Sequence, residues 1–536
     1  GNNSTCRAGG IYREKQVTHN KLSTNKKKLM KTSKILMGIF ALAAVVACSH
    51  NDEENKVNQP VDGANKSYLA LNLKSANDSS RLADAVYEDG TADEQAVTEA
   101  TFYFFDAAGN IFPVNANGNY YNVSVADNGG VDAPNIESMT DPVIVIEKYK
   151  GEFPAQVVAV VNYKGTASLS LSQLKDNMQA AGHTNGKNFI MTNSVYVDGS
   201  GAAVYATPLT IDHFQTSADK ALASPVTIYV ERMTAKMSAA LGDAAFDTGV
   251  ALGDKAVYAK VIGWDVIGTQ TESFYLKSID PTWTEASLGF VWNDAPFFRS
   301  YWSAKSVANA VSNDFTYSQL TNTTSSVEYL GELIGARARC VVAAVLQDKS
   351  GNVMEIAQWY GTNYVGEEAL LAAVAPTLKS KLLHFDGVDT YTSIDDSQLK
   401  LVAGLDTAES YEVSFQLADG VATDNWYSFD GNTYTAVVDA NAELAKVEPA
   451  KVWKDGQSYY YVDVKHLGSA NSVGEYGIVR NHSYKVNVSG VKGWGTPVYD
   501  PDSKVEPVKP SDKETYIAAE INVLSWRVVS NDAVLE

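Results

Sequence analysis

Residues 101–114 read TFYFFDAAGNIFPV, so that bulky apolar side chains stand on both sides of a short polar turn. The first arm, residues 101–105, consists of one β-branched and four aromatic residues, which favour the pleated surface of a strand. The turn contains Asp106 and Gly109, and glycine readily adopts the left-handed backbone that tight hairpin turns need. This stretch therefore predicts a β-hairpin.

The same pattern recurs along the chain, where short apolar runs alternate with turns rich in Gly, Asn and Asp. Strand-like runs lie at residues 157–161, 226–230, 459–464 and 484–488. Helical stretches are few, and they are predicted at residues 170–180, 301–312 and 366–375. Short strands at this density predict an all-β fold built from β-sandwiches, with few short helices.

A targeting signal precedes this β-rich part of the chain. Residues 35–48 read ILMGIFALAAVVAC and follow Lys31 and Lys34. A basic start, an apolar core of about thirteen residues and small residues before Cys48 are typical of a secretory signal, and the core is too short to span a bilayer. The end of this stretch resembles a bacterial lipobox, which implies cleavage before Cys48 and acylation of its thiol and new amine. The alternatives are an uncleaved signal anchor and a lone buried thiol.

Met30 is a natural start for this signal, so residues 1–29 are interpreted as an upstream extension and residues 1–47 are set aside. They hold nine of the 43 Lys and Arg residues and one of the 63 Asp and Glu residues, which leaves residues 48–536 with a net charge of −28. Such a charge argues against nucleic acid and anionic membrane surfaces as partners.

The cysteine count and the length bound the architecture. Cys6 lies in the segment set aside and Cys48 is the predicted lipid site, so Cys340 has no partner for an intramolecular disulfide. Stability must therefore come from core size, and about 490 residues are enough for two or three domains.

No constellation for catalysis or metal binding is found in the sequence. None of the seven His residues forms a zinc-type pair with Glu or lies near a Cys-x-x-Cys motif, and no Gly-x-Ser-x-Gly elbow is present. Residues 490–495 read GVKGWG but do not open a helix, and Asp500 and Asp502 lack the rest of a calcium loop. We therefore expect a protein that is not an enzyme and has no metal and no cofactor besides the covalent lipid at Cys48.

The beginning of the mature chain carries an amphipathic strand. Residues 67–74 read SYLALNLK, in which Leu69, Leu71 and Leu73 lie on one face. Arg81 and Leu82 follow in a polar stretch of the kind that can enter a protease cleft.

The end of the chain carries a second strand-like segment, residues 516–536, behind a stretch with four prolines at residues 496–515. That stretch is interpreted as an extended linker. The tail changes phase, which indicates a β-bulge or two short strands. One phase of alternation consists of Ile517, Ala519, Ile521 and Val523, and Leu524, Trp526 and Val528 continue in the other.

Several segments together resemble the Bacteroidales fimbrillin family (type V pilins), in particular the shaft subunits of short, or minor, fimbriae of Porphyromonas-type bacteria. The segments are GIVRNHSYKVNV at 477–488, GWGTP at 493–497, VERMTAK at 230–236, the hairpin at 101–110 and INVLSWRVV at 521–529. The resemblance implies two transthyretin-like β-sandwich domains, with a removable N-terminal strand and a C-terminal donor strand. It implies five segments: 1–47, upstream extension and signal; 48–81, lipidated propeptide with the first strand; 82–226, N-terminal domain; 227–495, C-terminal domain; 496–536, linker and donor strand.

The resemblance also implies a mechanism. An outer-membrane lipoprotein precursor reaches the cell surface, an Arg-specific extracellular protease cuts between Arg81 and Leu82, and the strand with Leu69, Leu71 and Leu73 leaves. The tail of an identical subunit then fills the groove, which is a form of strand addition. Residues 521, 523, 524, 526 and 528 are the implied donor positions. The acidic run at residues 52–54 resembles a surface-export signal.

Such a subunit would form extracellular fimbriae with accessory anchor and tip subunits. It would support adhesion to host or bacterial surface receptors, biofilm formation, colonisation and virulence. One alternative is a monomeric surface lipoprotein that binds glycans, with Trp359, Tyr360 and Trp453 as candidates for stacking on sugars; core packing is the other interpretation of these residues. A further alternative is a tip or anchor fimbrial subunit, which would lack a usable donor tail or retain the first strand. A glycan binder would need neither the cut nor the tail.

Overall fold

The computed structural model describes residues 66–75, 90–124, 139–140, 142–147, 152–180, 186–198, 200, 202–270, 272–280, 282–289, 301, 303, 311–312, 316–322, 327–334, 337–404, 411–505, 516–524 and 529–533. Within them strands predominate and helices are few and short, which confirms the predicted all-β fold. The predicted helix at 366–375 is present, whereas most of 301–312 lies outside the described residues. The prediction at 170–180 is right only for Leu171–Asp176, because Met178–Ala180 forms a strand that pairs with residues 272–274. No helix among the described residues has the length and apolar character needed to cross a membrane.

The strands are given in chain order. Up to the end of the first sheet they are β1 Lys66–Ser75, β2 Glu99–Phe105, β3 Tyr120–Ser124, β4 Met139–Thr140, β5 Val143–Glu147, β6 Gln156–Val161, β7 Met178–Ala180, β8 Met191–Asn193, β9 Tyr196–Val197, β10 Ala203–Val204, β11 Thr207–Pro208 and β12 Val226–Arg232. The next are β13 Ala235–Ala240, β14 Phe246–Leu252, β15 Lys255–Ile267, β16 Thr269–Gln270, β17 Glu272–Phe274, β18 Val311–Ser312, β19 Glu328–Leu330, β20 Leu333–Ile334 and β21 Arg339–Gln347.

The remaining strands are β22 Ile356–Trp359, β23 Thr362–Val365, β24 Leu383–Phe385, β25 Tyr391–Ser393, β26 Leu399–Ala403, β27 Val413–Leu417, β28 Trp426–Phe429, β29 Tyr434–Val437, β30 Lys451–Trp453, β31 Gln457–Asp463, β32 Gly477–Ile478, β33 Ser483–Lys492, β34 Thr496–Pro497, β35 Tyr516–Leu524 and β36 Val529–Ala533. The α-helices are α1 Ala92–Gln95, α2 Leu171–Asp176, α3 Ala218–Leu222, α4 Glu285–Leu288, α5 Tyr317–Asn322, α6 Gly366–Val374 and α7 Ala440–Leu444. Single 3₁₀ turns lie at Ile211–His213, Ala375–Leu378, Asp396–Gln398, Lys454–Gly456 and Val473–Glu475.

Nine strands form what we call the first sheet, in the order β3-β2-β6-β8-β12-β1-β4, with β11 on β6 and β5 on β1. One face of this sheet covers a hydrophobic core to which β1, β2, β5, β6 and β12 all contribute. The opposite side of β2 and β6 is also buried, because Tyr103 and Val158 pack against Tyr275 and its neighbours. The middle strands of the sheet are therefore enclosed on both faces.

The hairpin predicted from residues 101–114 forms its turn, but its second arm is short. The Asp106 carboxylate accepts N–H bonds from Ala108 (2.8 Å) and Asn110 (2.9 Å), which closes the turn. Beyond the turn a single bridge joins Phe105 and Ile111, and the Phe112 N–H donates to the Phe104 carbonyl (3.2 Å). Pro113 then has no N–H to continue a ladder. The full antiparallel partner of β2 is β3.

The second part of the chain forms what we call the sandwich. One sheet has the order β19-β13-β33-β35-β36 and the other β14-β15-β21-β31-β34. Met237 and Val486 from the first of these sheets share one core with Val261, Val342 and Tyr460 from the second. The core therefore lies between two sheets, as in a β-sandwich.

A separate unit, which we call the inserted lobe, lies between β21 and β31 and comprises β22 to β30 with α6 and α7. Its small sheets surround their own core, which includes Leu370, Phe415, Trp426 and Val452. Strand-like runs alone did not predict this lobe, because nothing local separates strands of an insertion from strands of the sandwich.

The first half of the Pro-rich stretch is packed against the sandwich. Residues 496–497 form β34 on β31, and Val498 and Val505 are buried in a cluster with Tyr317 and Tyr459. The Ser318 N–H donates to the Pro501 carbonyl (2.9 Å). A free spacer can therefore begin only after Val505, with residues 506–515, which lie outside the described residues.

Candidate strand-exchange site

Strand β1 has hydrogen-bonded neighbours on both sides. Its first half, residues 66–70, pairs antiparallel with β5, and Tyr68 exchanges two backbone hydrogen bonds of 2.8 Å with Gln215 on the other side. Its second half, residues 71–75, pairs parallel with β12 and antiparallel with β4. An inner strand of this kind cannot leave without exposing backbone donors and acceptors on two neighbours.

The side chains of β1 are buried on both faces of the strand. Leu69 and Leu71 are 0% exposed and Leu73 is 3% exposed, all within the core of the first sheet. On the opposite face Ala70 is 0% exposed and Asn72 is 6% exposed. Ser67 lies on the same face as the leucines and is also 0% exposed, and its hydroxyl donates to the Gln215 carbonyl (3.2 Å). The groove around β1 therefore holds large apolar side chains at three alternate positions and a small one at position 70.

The predicted donor residues fall at the edge of the sandwich. Ile521, Val523 and Leu524 belong to β35, which pairs antiparallel with β33 and on its other side with β36. Trp526 and Val528 lie between β35 and β36 and outside the described residues, as do Cys48, Arg81 and Leu82. The described part of the tail thus consists of two strands, one of the two arrangements that its phase change indicates.

Charged residues that sequence reasoning missed join the first sheet to the sandwich. Glu94, on α1, lies 3.1 Å from the Lys236 ammonium on β13 and accepts a bond from the Tyr329 hydroxyl (2.8 Å). Arg232, at the end of β12, donates to the Glu94 carbonyl (2.8 Å) and to the Asn481 side chain (3.2 Å). Burial by itself would raise the pKa of Glu94, but Lys236 and hydrogen bonds from Thr91 and Tyr329 hold it below its ordinary value of 4.5.

A second buried group of charges adjoins the first. The Arg480 guanidinium, 0% exposed, bonds to Glu332 (2.9 Å) and to the carbonyls of Phe274 and Tyr275. Lys277 lies 3.4 Å from Glu231. Burial lowers the pKa of Lys277, and the carboxylates of Glu231 and Glu332 oppose that shift.

These two groups bring together two of the segments that carried the family resemblance, VERMTAK and GIVRNHSYKVNV. Asn481 N–H donates to the Thr234 carbonyl (2.8 Å), and Lys236 N–H donates to the His482 carbonyl (2.9 Å). The signal available in the sequence was a pair of charges, Glu231 and Arg232, in a run of otherwise strand-like residues. Glu231 and Arg232 lie on β12, which pairs in the first sheet, and the sandwich starts at β13. The domain boundary that we predicted between residues 226 and 227 falls at the start of β12.

Of the predicted sugar-stacking residues, Trp453 is 3% exposed and Trp359 is 8% exposed, so both pack in cores. Tyr360 is 72% exposed beside Trp359. Among the described residues no group of three or more His, Cys, Asp and Glu residues could hold a metal ion.

Residues 451–532 match the family model described as major fimbrial subunit protein type IV, fimbrillin, C-terminal. The chain carries a fimbrillin C-terminal domain. This domain runs from β30 into β36 and so includes β33 and the tail strand β35, and the fimbrillin resemblance is confirmed there. No curated protein matches the chain in sequence.

Three solved structures are similar to this chain in backbone fold. The first is a protein assigned to cell adhesion from Parabacteroides distasonis ATCC 8503, with 11% sequence identity and a TM-score of 0.39. The similarity covers 87% of this chain and 98% of that one. Another, assigned to cell adhesion in Bacteroides eggerthii DSM 20697, has 12% identity and a TM-score of 0.35 over 87% and 97% of the chains. The tip fimbrial protein Mfa3 of Porphyromonas gingivalis, with a C-terminal truncation, has 10% identity and a TM-score of 0.30 over 86% and 100%. All three TM-scores are low.

Proposed function

We propose that this chain is the shaft-forming subunit of a surface fimbrium, activated by a cut between Arg81 and Leu82 and polymerised by exchange of the tail between subunits. The observation that carries the proposal is the place of β1, an inner strand with Leu69, Leu71 and Leu73 in the core. Arg81 follows the end of β1 by six residues, so a cut there detaches β1 from the rest of the first sheet.

Removal of β1 would expose apolar core side chains and unpaired strand edges, which a replacement strand can cover. Full burial of each leucine contributes about 1.5–3 kcal/mol, so loss of all three exposes roughly 5–9 kcal/mol of apolar burial. The ladders to β5 and β12 are lost as well, and unpaired strand edges of this kind readily pair with another chain. The tail of a second copy, with its apolar alternation, supplies both needs.

The contact is head-to-tail. The groove belongs to the first sheet and the tail to the far edge of the sandwich, where β35 pairs with β33. A contact between two different surfaces that does not close on itself gives a filament. While β1 is present the groove is full, so the uncut precursor stays monomeric.

The remaining parts of the proposal concern transport and partners. Acylation at Cys48 holds the precursor on the outer membrane, since several acyl chains anchor a protein firmly. Anchor and tip subunits would end the filament, and its exposed acidic surface would meet receptors on host or bacterial cells.

The experiment uses residues 49–536 treated with an Arg-specific protease and followed by electrophoresis without boiling. A polymer ladder with a new N-terminus at Leu82 is expected, and deletion of residues 516–536 should abolish it. The control Arg81→Lys keeps the charge but resists the protease, and it should remain monomeric. A ladder formed by Arg81→Lys, or cut wild-type protein that stays monomeric, would refute the proposal.

A further inference from the structure

The tail strand repeats the residue order of the strand that it would replace. Residues 67–73 read SYLALNL and residues 515–521 read TYIAAEI. Both begin with a hydroxyl residue and Tyr, continue with a large aliphatic residue and Ala, and end with a polar and then a large aliphatic residue. Building on the proposed function, we propose that Tyr516–Ile521 of a second copy enters the groove in the direction of β1, with Ile517, Ala518 and Ile521 at the sites of Leu69, Ala70 and Leu73.

The groove explains why this order matters. Ala70 is 0% exposed between neighbours on both sides of β1, so a larger side chain at its site would have to displace buried neighbours. In the proposed register Ala518 occupies that site. Thr515 stands where the Ser67 hydroxyl donates to the Gln215 carbonyl, and a Thr hydroxyl can make the same bond.

Other registers in the same direction place unsuitable residues in the groove. Moving the tail by two residues puts Glu520 at the site of Ala70, and moving it by four puts Asn522 there. Burying a charged or polar group without partners is costly. In the proposed register Glu520 takes the site of Asn72, which is 6% exposed, so its polar group falls where β1 itself carries a polar side chain. The Leu524, Trp526 and Val528 phase puts Ser525 at that site, but it forces Trp526 into the fully buried site of Leu71.

The opposite direction also fits poorly. With Ala518 kept at the site of Ala70, the reversed tail places Ala519, Ile517 and Thr515 at the three leucine sites. Only one large aliphatic residue then enters the core, against two in the proposed register. The parallel direction also preserves the hydrogen-bonding pattern that β12 makes with β1.

Inside its own subunit the tail follows the same alternation in its pairing with β33. Ile517, Ala519 and Ile521 are the register partners of Val491, Val488 and Val486, and these three valines are buried in the sandwich core. The tail can therefore move from β33 to a neighbour's groove without changing which alternate positions are apolar. The spacer of residues 506–515 spans at most about 36 Å, starting from the buried anchor Val505.

The tail and β1 differ in side-chain size at one core position, and this difference can be tested. Ala519 stands at the site of Leu71, where it leaves most of a leucine side chain unfilled. Because cavities of that kind are costly, Ala519→Leu should tighten binding about tenfold or more. A gain in affinity at this position cannot come from misfolding.

The experiment adds a fluorescent peptide of residues 513–526, which contains no Arg, to the full chain during Arg-specific cleavage. The peptide should bind cut protein with one copy per chain, suppress the polymer ladder and ignore uncut protein, whose groove is full. Ala518→Asp in the peptide should weaken binding at least a hundredfold. The matched variant Ser525→Asp adds the same charge outside the proposed register and should change binding less than about threefold.

The outcomes separate this register from the proposed function. If Ser525→Asp abolishes binding and Ala518→Asp does not, the register is overturned while strand exchange stands. The register is also overturned if cut chains form a ladder that the peptide neither joins nor suppresses. If the peptide does not bind and no ladder forms, the register and the proposed function fall together.

Discussion

Replacement of Leu71 by Ala should destabilise the precursor and leave the finished polymer unaffected. Leu71 is 0% exposed in the core of the first sheet, and Leu→Ala changes at such sites cost about 3–5 kcal/mol. The uncut chain carries the full penalty. In the polymer β1 is gone, so the variant and wild type have the same composition and should have the same stability.

The measurement is urea unfolding of the uncut chain, followed by dissociation of the polymer in urea after Arg-specific cleavage. Leu222→Ala, the same substitution at a residue 46% exposed on α3, serves as the control and should cost less than about 1 kcal/mol. The reasoning fails if the Leu71→Ala polymer dissociates at a lower urea concentration than wild type, since β1 would then still be present in the filament.

The charges that join the first sheet to the sandwich give two further predictions. Because the folded pKa of Glu94 is lowered, its contribution to stability is present above pH 4.5 and is lost as the pH falls through the folded pKa. Glu94→Gln should therefore flatten the acid-dependent loss of stability, measured as urea midpoints from pH 6 to 3. An unchanged profile would contradict a stabilising role of the ionised Glu94 carboxylate. Glu332→Gln leaves the buried Arg480 without its carboxylate and should cost about 3–5 kcal/mol, whereas Arg480→Met combined with Glu332→Leu should cost much less. Equal costs for the single and the double variant would refute the pairing.

The local features of the fold could be predicted from the sequence because they depend on neighbours a few residues away. The alternation at Leu69, Leu71 and Leu73 predicted a strand with one apolar face, and that face is buried. The run at 157–161 predicted β6, and the turn at Asp106 formed as expected. Each of these depends on side-chain period or on turn chemistry, which are properties of contiguous residues.

Features that depend on distant residues could not be predicted in this way. The stretch at 496–505 was interpreted as part of an extended linker from its prolines, yet Val498 and Val505 are buried against Tyr317 and Tyr459. Glu94 and Lys236 are far apart in sequence and meet only because α1 and β13 are brought together by two different sheets. The residues that flank Glu94 and Lys236 in the sequence do not indicate that these two side chains form an ion pair.

The sequence by itself determined that this chain is built from strands, that β1 and the tail each have an apolar alternation, and that Arg81 follows β1 closely. The tertiary structure alone decided that β1 is an inner strand with partners on both sides and that Ala70 is fully buried between them. The reason is that side-chain period is a local property, whereas the neighbours of a strand are set by pairing between segments more than a hundred residues apart, such as β1 and β12.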